Sequence, residues 1–223
     1  MLNRKRNILI GIFCMTFCWL LSINTLAAQR VDNENFLYRA FLSKKTVKIM
    51  ANQKRSIPLQ KVYFTVVDID GNGVKELIVK VGCRSKYGPC APNAYIFTIK
   101  NNKIVYSGMT CLKQDNSATV QISKKYKSIF SCYPVASYLS AHFYTLKNGK
   151  LSDKKYFYRQ NGYPNGKING LPHESWCKKM GYYINKKKVS QKKYTTEYEK
   201  YRKSLKKYKL YKNIALNRKK YLK

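Results

Sequence analysis

The chain has 223 residues, with 45 Lys and Arg against 10 Asp and Glu, and a formal net charge of +35 at pH 7. So few carboxylates leave little material for acid–base catalysis, and so large a positive charge demands or tolerates a polyanionic neighbour. Lys outnumbers Arg, which argues against specific nucleic-acid recognition, because bidentate reading favours the guanidinium fork; an A+T-rich genome would also yield abundant Lys, Asn, Tyr and Ile without selection for binding.

At the start, Arg4, Lys5 and Arg6 precede an apolar run from Ile8 to Leu21, interrupted by Thr16 and too short to span a bilayer comfortably. This pattern predicts a secretion signal over 1–28 with cleavage near Ala27 or Ala28, an uncleaved anchor being the alternative. Neither Cys14 nor Cys18 lies in a lipidation box. From Asn33 to Lys45, Phe36, Leu37, Ala40 and Phe41 recur at three and four, which predicts an amphipathic helix lying on a sheet. The next segment, through Met50 and Lys54 to Pro58, reads as a second weak helix or a loop leading into a strand at Val62.

The pattern then changes to period two. Val62–Asp68 and Glu76–Val81 read as strands, and the segment between them spaces oxygen ligands as a calcium loop does. Asp68, Asp70 and Asn72 fill positions one, three and five, Gly73 sits at six, the Val74 carbonyl falls at seven and Glu76 at nine. Position twelve is Val79, so a helix-loop-helix hand is excluded and the loop joins two strands of a hairpin. Asp-Gly and Asn-Gly also make hairpin turns without any metal, and that reading stays open.

Past the signal the cysteines are Cys83, Cys90, Cys111, Cys132 and Cys177. Cys83 and Cys90 flank a short turn-rich loop and are predicted to form a disulfide, as suits an oxidising exterior. Cys111 with Cys132 is a second candidate pair, which would leave Cys177 over. No spacing fits zinc, and nothing around His142 or His173 marks a nucleophile site, so no enzymatic activity is predicted.

Further strands are predicted at Ala94–Thr98, Lys103–Ser107, Thr119–Ser123, Ser128–Cys132, Tyr138–Leu146 and Lys155–Arg159, with tight turns at Asn101-Asn102 and Asn148-Gly149. The similar phrases Tyr95-Ile96-Phe97-Thr98 and Phe143-Tyr144-Thr145-Leu146 point to repeated hairpins of a meander. Gln160 to Trp176 reads as a loop rich in Asn, Gly and Pro. A last strand near Tyr182–Asn185 leads to Ser190 as an N-cap, and Tyr194, Tyr198, Tyr201, Leu205 and Tyr208 form a helical stripe. Lys192, Lys193, Lys200, Arg202, Lys203, Lys206 and Lys207 occupy the other faces of that predicted helix. They are candidates for an anionic cell-wall polymer or membrane surface, the alternative being a helix that packs its Tyr stripe on the sheet.

The segment Phe64 to Val79 resembles the loop of FG-GAP/VCBS calcium repeats and a group of secreted proteins of Gram-positive bacteria. The resemblance implies that Asp68, Asp70, Asn72, the Val74 carbonyl and Glu76 hold Ca²⁺, and it brings no enzymatic activity with it. The expected fold is α+β, an antiparallel meander sheet with an N-terminal helix and a basic C-terminal helix; 29–190 would form the domain and 191–223 the helix and tail. The expected role is a secreted binding or structural module at the anionic cell envelope. A secreted enzyme or enzyme inhibitor using Gln160 to Trp176, and a membrane-active cationic protein, are the alternatives.

Overall fold

β-branched and aromatic side chains alternating along the chain favour the pleated backbone, because each face of a strand then meets one environment. The computed structural model describes residues 29–30, 32–49, 56–82, 93–112, 118–135, 138–160, 167–168, 171–172 and 181–223. It is an α+β structure of antiparallel sheets with helices near both ends of the chain. A helix α1 over residues 32–42 is followed by the small hairpin β1 (Thr46–Lys48) and β2 (Ser56–Pro58) and a 3₁₀ turn at Leu59–Lys61. Extended structure therefore replaces the weak helix or loop expected at both ends of that stretch; residues 50–55 lie outside the described residues.

The meander divides into two sheets. The first has the order β16-β3-β4-β5-β6, from β3 (Tyr63–Val67), β4 (Glu76–Val81), β5 (Asn93–Lys100), β6 (Lys103–Cys111) and β16 (Tyr211–Lys212). The second has the order β14-β13-β10-β9-β8-β7-β15, from β7 (Thr119–Ser123), β8 (Ser128–Val135), β9 (Tyr138–Lys147), β10 (Lys150–Gln160), β13 (Gly181–Ile184), β14 (Lys187–Lys188) and β15 (Lys206–Lys209). A separate pair, β11 (Lys167–Ile168) and β12 (Leu171–Pro172), stands apart from both. Asn101 and Asn102 at φ 52° and 55°, and Asn148 and Gly149 at 54° and 75°, close the β5–β6 and β9–β10 hairpins as the turn chemistry predicts.

Three cores stack through the molecule. Tyr38, Phe41 and Leu42 of α1 pack with Phe64, Leu77, Val79 and Phe97 on the outer face of the first sheet. Val67, Ile78 and Ile96 from its inner face meet Val120, Ile122 and Ile129 of the second sheet. β4 is buried on both faces, which is why Leu77-Ile78-Val79 is an unbroken apolar run. On the far side, Phe130, Phe143, Phe157 and Ile184 pack under α2 (Gln191–Arg202). The Phe157 ring lies 5.8, 5.4 and 5.7 Å from the rings of Tyr194, Tyr198 and Tyr201. The sheets approach closely at Gly108, where an added Cβ would sit 2.6 Å from Leu151 Cβ.

Two helical expectations need correction. On α1 the buried face carries Asn35, Tyr38, Phe41 and Leu42; of the expected stripe Phe41 is buried and Leu37 half-buried, whereas Phe36 is 62% exposed and Ala40 exposed. Polar anchors set that rotation: the Asn35 amide donates to the Lys223 carbonyl and the Tyr38 hydroxyl to the Lys75 carbonyl, the latter at 2.6 Å. At the other end, Ser190 caps α2 by accepting from the Lys193 N–H as expected, but the helix stops at Arg202. Lys206, Lys207 and Tyr208 belong to β15, paired with β7, rather than to the basic helix. The unpaired edge of β7 overrides the helical spacing, because pairing it satisfies a row of backbone groups.

After β15 the chain crosses from one sheet to the other within a single residue. Leu210 is buried between them and its N–H donates to the Ala118 carbonyl at 2.7 Å, and Tyr211–Lys212 then pairs with β3. The Asn213 amide donates to the carbonyls of Leu42 and Leu59 at 2.9 and 2.6 Å. The chain ends in α3 (Ala215–Tyr221), whose following residue Leu222 is buried against α1.

Candidate metal centre

The β3–β4 hairpin positions the loop 68–75 at the end of the first sheet. Gly71 and Gly73 take φ of 72° and 86°, a region open to glycine at no steric cost, and this folds the loop back on Asp68. The carboxylate of Asp68 accepts from the N–H groups of Gly71 and Gly73 at 2.6 and 3.1 Å. Asp70 accepts from the Asn72 N–H at 3.2 Å and from its side-chain amide at 3.1 Å. Ile69 is fully buried and anchors the loop in the core between the sheets.

Carboxylate oxygens of Asp68, Asp70 and Glu76 all lie within 4.8 Å of one another, so these three residues can hold a metal ion. Glu76 opens β4 with no exposed surface. Its oxygens accept from the Ile69 N–H at 2.8 Å and the Thr98 hydroxyl at 3.2 Å. Burial pushes its carboxyl up to about 8, and the negative charges of Asp70 and Asp68 push the same way against those two hydrogen bonds. A buried carboxylate facing two others is stable only with a proton or a cation between them. Oxygen donors of this kind suit a hard divalent cation rather than zinc.

The other two predicted ligands are placed differently. The Asn72 side-chain oxygen accepts from the Val74 N–H at 2.7 Å, so in this conformation it braces the turn. Val74 is half-buried where the chain leaves the loop. Two lysines from the β7–β8 turn also reach the loop: Lys124 Nζ donates to the Asp68 carbonyl at 2.9 Å, and the end of the Lys127 side chain lies over Gly71. Nothing local in the sequence signals them, because the packing of one sheet on the other brings them there.

All seven predicted anion-binding residues are exposed, with Lys192, Lys193, Lys200 and Arg202 on α2, Lys203 at its end and Lys206 and Lys207 on β15. Arg202 is held by Glu199 at 2.9 Å. Cys83 and Cys90 lie outside the described residues, as does most of Gln160 to Trp176. The sulfurs of Cys111 and Cys132 are not bonded to each other. Ser131 donates its hydroxyl to the Cys111 carbonyl, so alternation along β8 turns Cys132 to the opposite face, among the rings under α2.

Sequence reasoning also passed over a polar line on β9 and β10. His142 Nε2 lies 3.0 Å from Ser140 Oγ, and its Nδ1 lies 2.9 Å from Asp153 Oδ1. The order is that of a nucleophile relay, but β9 is paired on both sides, with β8 and β10, so the ladder uses the backbone N–H groups that an oxyanion would need. The line works as a cross-strand brace.

No protein-family model, curated protein or solved structure matches the chain.

Proposed function

We propose that this protein is a secreted Ca²⁺-stapled module that sits at an anionic cell envelope and acts by binding. The observation that carries the metal half is the meeting of Asp68 and Asp70 with the fully buried Glu76 in a chain otherwise dominated by cations. The choice of Ca²⁺ follows from the loop's likeness to FG-GAP/VCBS repeats and from its hard oxygen donors. When bound, the ion would supply charge neutralisation, and Asp68, Asp70 and Glu76 would hold it. Glu76 orients through Ile69 and Thr98, and Lys124 keeps the loop against the second sheet. Extracellular sites of this class work at Kd values of about 10⁻⁴ to 10⁻³ M, which an outside concentration of calcium can fill.

The envelope half rests on the exposed cations of α2 and β15, each Lys near an anionic surface contributing about 1 kcal/mol. Among the described residues no helix is long and apolar enough to cross a membrane.

The test of the metal is a thermal melt in EDTA and in about 2 mM Ca²⁺, with Asp68→Ala/Asp70→Ala alongside. A ligand at tenfold Kd stabilises by about 1.4 kcal/mol, which raises Tm by roughly 3 to 6 °C for a chain of this size. The double variant should show no rise. An equal melt in both media would reduce the loop to a metal-free turn. For the envelope, the variant Lys192→Gln/Lys193→Gln/Lys200→Gln/Lys203→Gln should elute from isolated wall polymer at lower salt than the parent. Unchanged elution would remove α2 from the binding surface.

A further inference from the structure

Among the described residues, β3 is an edge strand for most of its length. β16 covers it only at Tyr63 and Phe64, and the preceding β15 lies on the other sheet. The gap between them is a cavity of about 330 Å³ lined by Val66, Lys75, Tyr208, Lys209, Tyr211 and Tyr221, with Thr65 at the same edge. The Asn213 N–H donates to the Val62 carbonyl at 2.9 Å, which fixes the side of β3 on which Val62 displays its backbone groups. Alternation along an antiparallel strand puts the N–H and C=O of Phe64 and Val66 on that same side. Tyr211 meets Phe64, whereas no described strand meets Val66 there.

The cavity therefore offers the outward N–H and C=O of Val66, stacked rings of Tyr211 and Tyr221 whose centroids are 3.4 Å apart, and two basic lining residues, Lys75 and Lys209. Edge backbone recognises a ligand that carries a donor and an acceptor at strand spacing, which a polypeptide does and a sugar or lipid headgroup does not. The lysines select carboxylates. A second copy of this chain is a poor occupant, because each copy carries a net charge of +35.

We propose that the groove beside Val66 binds an extended acidic segment of a partner polypeptide, which adds to β3 as a strand and places Asp or Glu side chains against Lys75 and Lys209. No metal takes part in these contacts, so this binding and the calcium reading stand or fall separately.

The experiment is fluorescence anisotropy with a labelled hexapeptide of alternating Glu and Val, in about 0.15 M salt to screen diffuse attraction. A second peptide of the same charge carries an N-methyl group on every amide, so that neither of its edges can donate to a ladder. Lys75→Gln/Lys209→Gln is compared with Lys192→Gln/Lys193→Gln, which removes the same charge from α2. The expected result is a loss of at least about tenfold in affinity for the N-methylated peptide and for the groove variant, with little change for the α2 variant. Equal binding of the two peptides, or equal losses from the two lysine pairs, would overturn the proposal in favour of general charge attraction. Polygalacturonate binding that depends on Lys75 and Lys209 while the hexapeptide fails to bind would also overturn it and make the groove a glycan site. All four lysines are at the surface or half-buried, so the variants should fold, and a melt of each checks that.

Discussion

In EDTA the protein is expected to lose stability as the pH rises from about 5 to about 8, at up to about 1.4 kcal/mol per unit. The cause is Glu76, whose carboxyl ordinarily titrates near 4.5 and is pushed up to about 8 by burial and by Asp70 and Asp68. Below the lower value both folded and unfolded chains hold the proton, and Glu76 contributes no slope. Between the two values the unfolded chain gives up its proton while the folded chain keeps it, so each step upward in pH favours unfolding. Above the higher value both are ionised and the loss levels off. Urea titrations in EDTA across this range read the slope directly. Calcium should flatten it, because the ion replaces the proton, and its uptake near neutral pH should release protons that appear as a buffer-dependent enthalpy. Glu76→Gln should give a metal-free protein with a much weaker slope and no response to calcium. A wild-type slope that is flat or rising in EDTA would show that Glu76 is ionised in the fold and sink this account of the site.

The second large effect is expected at Leu210, which is 2% exposed and joins the inter-sheet core at the crossing from β15 to β16. Leu210→Ala should cost about 3 kcal/mol through lost burial and the cavity left behind, or roughly 6 to 12 °C in Tm. Leu216→Ala, at a residue 71% exposed, is the matched control and should change stability by less than about 0.5 kcal/mol. A Leu210→Ala protein as stable as that control would mean that the sheets are held together elsewhere. The same crossing makes a truncation after Ser190 unsuitable as a test of envelope binding. It would remove α2, both edge strands and Leu222 along with the charge.

The strands were legible because period two survives in sequence wherever one face is buried, as in Val62–Asp68 and Thr119–Ser123. The turns were legible because Asn101-Asn102 and Asn148-Gly149 need positive φ. What alternation does not encode is which strands share a sheet, so the division between β6 and β7 was not visible. The stripe of α2 was read correctly through Tyr201. It was carried too far at Tyr208, where spacing fits a helix but the open edge of β7 takes the backbone. On α1 Phe41 was placed correctly, but Phe36 was put on the buried face because hydrophobicity ranked it above Asn35, while contacts distant in sequence decided the rotation. At the site, spacing brought out Asp68, Asp70 and Glu76; the approach of Lys124 depends on tertiary structure alone.

The thread from β15 through Leu210 to β16 has a kinetic side as well. It closes the edge of β7 and part of the edge of β3, and Asn213 reaches back 171 residues to the Leu42 carbonyl. Pairings so remote in sequence are late and slow, because the entropy of closing the loop is lost before any contact compensates it. A nascent chain that has emerged only as far as α2 lacks the strands that close these edges and the Leu210 crossing that ties the two sheets together. Until that segment arrives, the open edges leave the chain exposed to pairing with the wrong strand.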